Sequence, residues 1–158
     1  MIAEYGDKDR SVLLDSPRQY GVTQNHKHLP EMTAVTGLKN APVFCPIVSD
    51  YYSGMLVTVP IHKAHLVAGA IFDDIRAAYE TKYDGPIVSY KEQISENGFI
   101  ASNGLSGLDT MEVTVEGNGE RGLLIARFDN LGKGASGAAI QCFNILTGAE
   151  ETKGLKLC

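Results

Sequence analysis

Apolar and polar residues alternate along "TMEVTVEG", residues 110–117, with Met111, Val113 and Val115 on one side and Glu112, Thr114 and Glu116 on the other. That period of two predicts a half-buried strand. The turn chemistry of "GNGE" then leads into "RGLLIARFDN", so a hairpin is expected. Upstream, "APVFCPIV" and "GMLVTVPIH" are apolar, β-branched runs separated by "SDYYSG", and they read as two strands joined by a polar, aromatic-tipped loop. The first run is apolar on both faces and is expected at the centre of a sheet. "PIVSY" adds a short strand.

Helical spacing is clearest from Ala64 to about Tyr83, where Val67, Ile71, Ile75, Ala78 and Tyr79 recur on one face and Asp73, Asp74, Arg76 and Glu80 remain for water. A shorter helix is expected at Pro30 to Thr36, with Pro30 and Glu31 in its first turn and Gly37 closing it. In "AAIQCFNILTG" the stripe Ala139, Cys142, Phe143 and Leu146 predicts a helix buried on that face, with Gly148 as its stop. The first dozen residues are polar and read as irregular, and "LLDSPRQYGVTQN" reads as a connection that becomes extended before His26. Strands outnumber helices without strict βαβ alternation. The expected fold is α+β, a mixed, largely antiparallel sheet with helices on one face, in a single domain spanning residues 1–158.

Composition narrows the function classes. With 158 residues, 44% hydrophobic and 21% charged, the chain matches one soluble globular domain. Its net charge of -5 and the absence of a Lys/Arg cluster interleaved with aromatics argue against a nucleic-acid partner. No apolar run reaches the ~18 to 20 residues of a membrane span, and "MIAEYGDKDR" lacks the order of a signal peptide, so a cytoplasmic protein is expected. Cys45, Cys142 and Cys158 are odd in number and lack CxxC spacing, which suggests neither a disulfide framework nor a zinc knuckle.

Two motifs carry candidate chemistry. Gly132 to Gly137, "GKGASG", matches G-x-G-x-x-G between a strand and a helix, but only "EETKGLKLC" follows that helix within the sequence, so a complete dinucleotide fold cannot be built from it. Two readings stay open: helix N-terminal amides and Lys133 that receive an anionic group, or glycines that allow tight strand-to-helix packing. In "NHKHLPEM", His26 and His28 project to one side of an extended segment. They could ligate zinc with Glu31 or with His62 and His65, serve as a general base, or lie at the surface as capping residues. A base just ahead of a helix N-terminus is favoured in its neutral form. No convincing nucleophile accompanies it: Cys45 is expected inside an apolar strand, Cys142 on a buried helix stripe and Cys158 at the terminus.

"YGVTQNHKHLPEM" and "DNLGKGASGAAIQCFNILTGAEETKGL", with "ASNGLSGLDTMEVTVEGN" between them, closely resemble segments of the N-acetyl-gamma-glutamyl-phosphate reductase family, relatives of aspartate-semialdehyde dehydrogenase. The similarity runs from about Tyr20 to Leu155. It implies a catalytic and dimerisation domain of the glyceraldehyde-3-phosphate dehydrogenase-like C-terminal type. The upstream NADP-binding domain and the nucleophilic cysteine would then lie outside the chain, leaving the chain alone inactive.

The reaction implied by the resemblance is NADPH-dependent conversion of N-acetyl-glutamyl 5-phosphate to N-acetyl-glutamate 5-semialdehyde, in arginine biosynthesis. By position in the motif, His26 takes the acid/base role, Tyr20 orients it, and His28 and Glu31 belong to the substrate side. Asn130, Lys133 and Gly134 come to the nicotinamide edge of the cofactor, and no metal is implied. A homo-oligomer is expected from the family likeness. The competing reading is a stand-alone dimerisation or metal-binding module without catalysis.

Overall fold

The computed structural model describes residues 2–158, arranged as two units, one ending at Tyr51 and the other running from Tyr52 to Cys158.

In the first unit, a short helix α1 (Ile2–Tyr5) and a 3-10 turn (Val12–Asp15) occupy the stretch expected to be irregular. Arg10 ties them together: its guanidinium donates to the Tyr5 carbonyl at 2.8 Å and bridges Asp15 and Asp50 at 2.6 and 2.7 Å. Strand β1 (Arg18–Gln19) pairs antiparallel with β2 (Ile47–Val48). Helix α2 (His28–Thr36) begins two residues ahead of the expected start and ends at Gly37, whose φ of 67° no β-carbon residue adopts cheaply.

The run "APVFCPIV" is not a central strand. Only Ile47 and Val48 pair, and Val43 is 84% exposed. Pro42 and Pro46 bracket its middle and cannot donate to a ladder, so the segment between them stays outside any sheet. Cys45 is therefore exposed rather than enclosed in a strand.

The second unit is built on a four-stranded sheet in the order β3-β6-β5-β4, with β3 (Met55–His62), β4 (Val88–Tyr90), β5 (Met111–Gly117) and β6 (Arg121–Phe128). β3 and β5 run antiparallel to β6, and β4 runs parallel to β5, which makes the sheet mixed and mostly antiparallel. The β5-β6 hairpin turns where expected, with Asn118 Oδ1 accepting from the amides of Glu120 and Arg121.

Helix α3 (Phe72–Lys82) covers one sheet face. It starts eight residues later than the periodicity suggests, because Gly69 takes a φ of 88° and Asp74 caps the Ile71 amide at 2.8 Å. Phe72, 3% exposed, packs so closely on Gly122 that a β-carbon there would collide with its ring. Arg76, expected in water, instead donates to the Val115 carbonyl at 3.2 Å. The opposite face is lidded by the segment 91–108: Ile94 and Leu105 are buried, Thr114 Oγ1 donates to the Glu92 carbonyl, and Arg127 reaches Glu112 at 2.6 Å and the Ala101 carbonyl at 3.4 Å.

A π turn (Gly132–Ser136) leads into helix α4 (Gly137–Thr147), which stops at Gly148 as expected. Its orientation reverses the expectation. Phe143 is 65% and Leu146 85% exposed, Cys142 is exposed, and the residues turned inward are Gly137, at the helix start, and Asn144, at 5%. Asn144 Nδ2 donates to the carbonyls of Glu151 and Lys153, so the inward face of α4 is fastened to the polar chain that follows it. Among the described residues no helix is long and apolar enough to cross a membrane.

Candidate functional site

His26 sits half-buried ahead of α2 in a cage of rings. Phe44 lies 5.1 Å away between centroids, His28 4.7 Å and Tyr20 5.8 Å, all tilted or edge-on to the imidazole. The His28 amide donates to His26 Nδ1 at 3.3 Å, so one of the unpaired N–H groups at the α2 N-terminus is satisfied by the imidazole. A ring nitrogen that accepts carries no proton, which assigns the exchangeable hydrogen of the neutral ring to Nε2.

Neighbouring backbone fixes the cage. Gly21 has a φ of 61°, and a β-carbon there would lie 3.4 Å from the Pro46 ring and 3.7 Å from the His26 ring. Gln24, at a φ of 56°, turns its carboxamide onto Phe44, donating to its carbonyl at 2.7 Å and accepting from its amide at 2.9 Å. Neither Phe44 nor Gln24 was singled out by the sequence pattern. The prolines at 42 and 46 were the available signal, since they make a ring between them unlike a strand residue. Tyr20 meets His26 through its ring, and its backbone amide is held by the Pro46 carbonyl at 2.9 Å. Glu31 is exposed in the first turn of α2. Among the described residues no three His, Cys, Asp or Glu side chains gather to hold a metal ion.

The remaining candidates belong to the second unit, in the turn after β6. Asp129, 2% exposed, organises it. Its Oδ1 accepts from the amides of Leu131 and Gly132 at 2.7 and 3.2 Å, while its Oδ2 accepts from Ser53 Oγ at 2.8 Å and from the Gly107 amide. Burial pushes its pKa up, but the hydrogen bonds from Gly107, Leu131, Ser53 and Gly132 outweigh burial and leave it below the ordinary carboxylate value. Asn130 Oδ1 accepts from the Gly54 amide at 2.7 Å. Lys133 Nζ donates to Gln141 Oε1 at 2.5 Å. The Gly134 amide donates to the Asp129 carbonyl at 2.8 Å, and a β-carbon at Gly134 would press to 3.0 Å from the Phe128 ring.

This geometry favours close packing as the reason for the glycines. A β-carbon on Gly132 would collide with the Leu108 carbonyl, and one on Gly137 with the Asp109 carboxylate. The amides of Leu131, Gly132, Gly134 and Ser136 are bonded to Asp129 or Leu131 within the turn, so they are not displayed to an outside phosphate.

Comparison with known proteins gives one consistent result. Residues 6–130 match the family described as semialdehyde dehydrogenase, dimerisation domain. An N-acetyl-gamma-glutamyl-phosphate reductase of Rhizobium etli is 38% identical over 152 residues, covering 92% of this chain and 49% of the relative. One from Sinorhizobium fredii is 38% identical over 153 residues, covering 94% and 50%. An N-acetyl-gamma-glutamyl-phosphate reductase 2 of Nostoc is 37% identical over 144 residues, covering 86% and 45%. The chain thus spans about half the length of the curated relatives it matches. With a family match that takes in most of the first unit and the whole four-stranded sheet, the chain belongs to the semialdehyde dehydrogenase dimerisation-domain family.

Proposed function

We propose that this chain is the acid/base and dimerisation half of an NADPH-dependent reductase that converts N-acetyl-glutamyl 5-phosphate to N-acetyl-glutamate 5-semialdehyde in arginine biosynthesis. The observation that carries the reading is the caged His26, with Nδ1 engaged by the α2 N-terminus and the Nε2 tautomer thereby selected. Such a ring is held in one orientation and can pass a proton at one atom.

The nucleophilic cysteine and most of the nucleotide site are assigned to the part of the relatives that this chain does not span. His26 takes the proton of that thiol as sulfur attacks the acyl carbon and phosphate departs with the bonding pair. When bound, NADPH would supply hydride to the resulting thioester. His26 then returns a proton to the sulfur as the hemithioacetal collapses to the aldehyde. Tyr20, His28 and Glu31 line the substrate side.

The turn after β6 fits an edge contact with a dinucleotide and not a phosphate cradle, because its amides are engaged internally. Asn130, Lys133 and Gly134 would form that edge. The family description supports a homo-oligomer assembled through this domain. The complete reductase acts in the cytoplasm, and the chain alone does not turn over.

In the complete reductase, His26→Ala is expected to lower kcat about 10²- to 10³-fold while KM changes little. Unaltered turnover would overturn the assignment.

A further inference from the structure

Lys133 is the first member of a series of polar side chains that runs from the turn after β6 through α4 to the chain that follows it, and fastening α4 to that chain does not account for the lysine at its head. Its ammonium donates to Gln141 Oε1 at 2.5 Å, and the other end of that amide, Nε2, donates to Glu151 Oε1 at 2.6 Å. Asn144 pins the Glu151 main chain in turn, at 3.1 Å. The amide is thus polarised by its neighbours: with a carboxylate on its nitrogen, its oxygen faces the lysine.

Helix α4 does not need this series to end, since the amides of Gly148 and Ala149 already satisfy the carbonyls of Ile145 and Asn144. Ordering Lys, Gln and Glu side chains also costs rotamer freedom, which hydrogen bonds near the surface offset only in part. The economical account is that the series fixes where the Lys133 ammonium stands.

We propose that Gln141 and Glu151 are positioning residues that hold Lys133 at the rim of the Asp129–Gly134 turn, where it meets an anionic group of the dinucleotide cofactor. The proposal rests on the cofactor-edge reading of that turn. Glu151 acts at a distance, through the amide it orients. Glu151→Gln would put a second amide beside Gln141 and free it to flip, and Gln141→Met would release the lysine altogether.

The test uses the complete reductase, with NADPH as the probe. Gln141→Met and Glu151→Gln should each raise KM for NADPH roughly five- to tenfold, about the net worth of one ordinary hydrogen bond, with kcat within about twofold. Lys133→Met should do the same, and adding Gln141→Met to it should cost nothing further. The exchanged pair, Gln141→Glu with Glu151→Gln, offers the lysine a carboxylate held by an amide and should restore wild-type KM. A rise in KM for Lys133→Met with none for Gln141→Met or Glu151→Gln overturns the positioning role and leaves the edge contact standing. No rise for Lys133→Met overturns both. Should Gln141→Met fail to fold, slowed exchange of the Lys133 ammonium protons, read by NMR, must vanish in Glu151→Gln; persistence of the slow signal overturns the proposal.

Discussion

The Gln24 carboxamide bonds both the carbonyl and the amide of Phe44, at 2.7 and 2.9 Å, and so does for this residue what a neighbouring strand would do. Twenty residues of chain are closed by that clamp, and the ring it holds stands 5.1 Å from His26. Gln24→Ala should destabilise the chain by about 1 to 3 kcal/mol through two lost hydrogen bonds and lower turnover of the complete reductase about tenfold by loosening the imidazole. Because Gln24 sits at a φ of 56°, Gln24→Gly should cost roughly 1 kcal/mol less than Gln24→Ala in urea unfolding. Equal costs would show that the backbone conformation is not strained.

Asp129 makes the second unit acid-sensitive. Its pKa is depressed when folded, so the unfolded chain binds its proton more readily. The stability it contributes is complete above the ordinary aspartate value of 3.8 and is lost as pH falls through the lower, folded value. Asp129→Asn, which leaves an amide among donors, should cost about 2 to 4 kcal/mol near pH 7. Urea unfolding as a function of pH checks the sign: the gap between wild type and Asp129→Asn should narrow below pH 4 or so and stay constant above pH 6 or so.

Sequence pattern revealed those parts of the molecule whose partners are local. The β5-β6 hairpin was legible because alternation and turn residues sit within one short stretch, and α2 because Pro30, Glu31 and Gly37 mark its ends. Elements governed by distant polar partners were not. Nothing near Asp129 in the chain announces that Ser53 and Gly107 converge on it, and nothing near Phe44 announces Gln24. Helix α3 was overextended because Val67 and Ile71 keep helical spacing across Gly69, whose positive φ breaks the helix. At the candidate site, residue type and spacing single out His26, His28 and Glu31, and the family likeness adds Tyr20 and the roles; the rings around His26 become visible only in the fold.

Gly137 tests whether the glycine motif serves packing. Alanine there should favour the helix by ~1 kcal/mol on propensity alone. Its β-carbon, however, meets the carboxylate of Asp109, which is itself held by the Lys156 amide at 2.9 Å. Gly137→Ala should therefore destabilise the chain by about 1 to 3 kcal/mol, and by less in an Asp109→Ala background. A stabilised Gly137→Ala variant would remove the packing explanation.

The reversal of α4 gives a comparison of adjacent residues with opposite expected outcomes. If the apolar stripe were the packed face, truncating Phe143 would open a cavity and cost about 3 to 5 kcal/mol. With Phe143 at 65% and Leu146 at 85% exposure, Phe143→Ser and Leu146→Lys should each change the stability of the isolated chain by no more than about 0.5 kcal/mol, and should raise its solubility. Asn144→Ala, by contrast, removes the donor that serves the carbonyls of Glu151 and Lys153 and should cost about 1 to 3 kcal/mol. Urea unfolding of the three variants separates the two orientations, because each predicts the opposite ranking of Phe143 and Asn144. A helix whose polar edge is fastened and whose apolar edge is bare holds its position without using its hydrophobic surface, so that surface remains available for burial against another body.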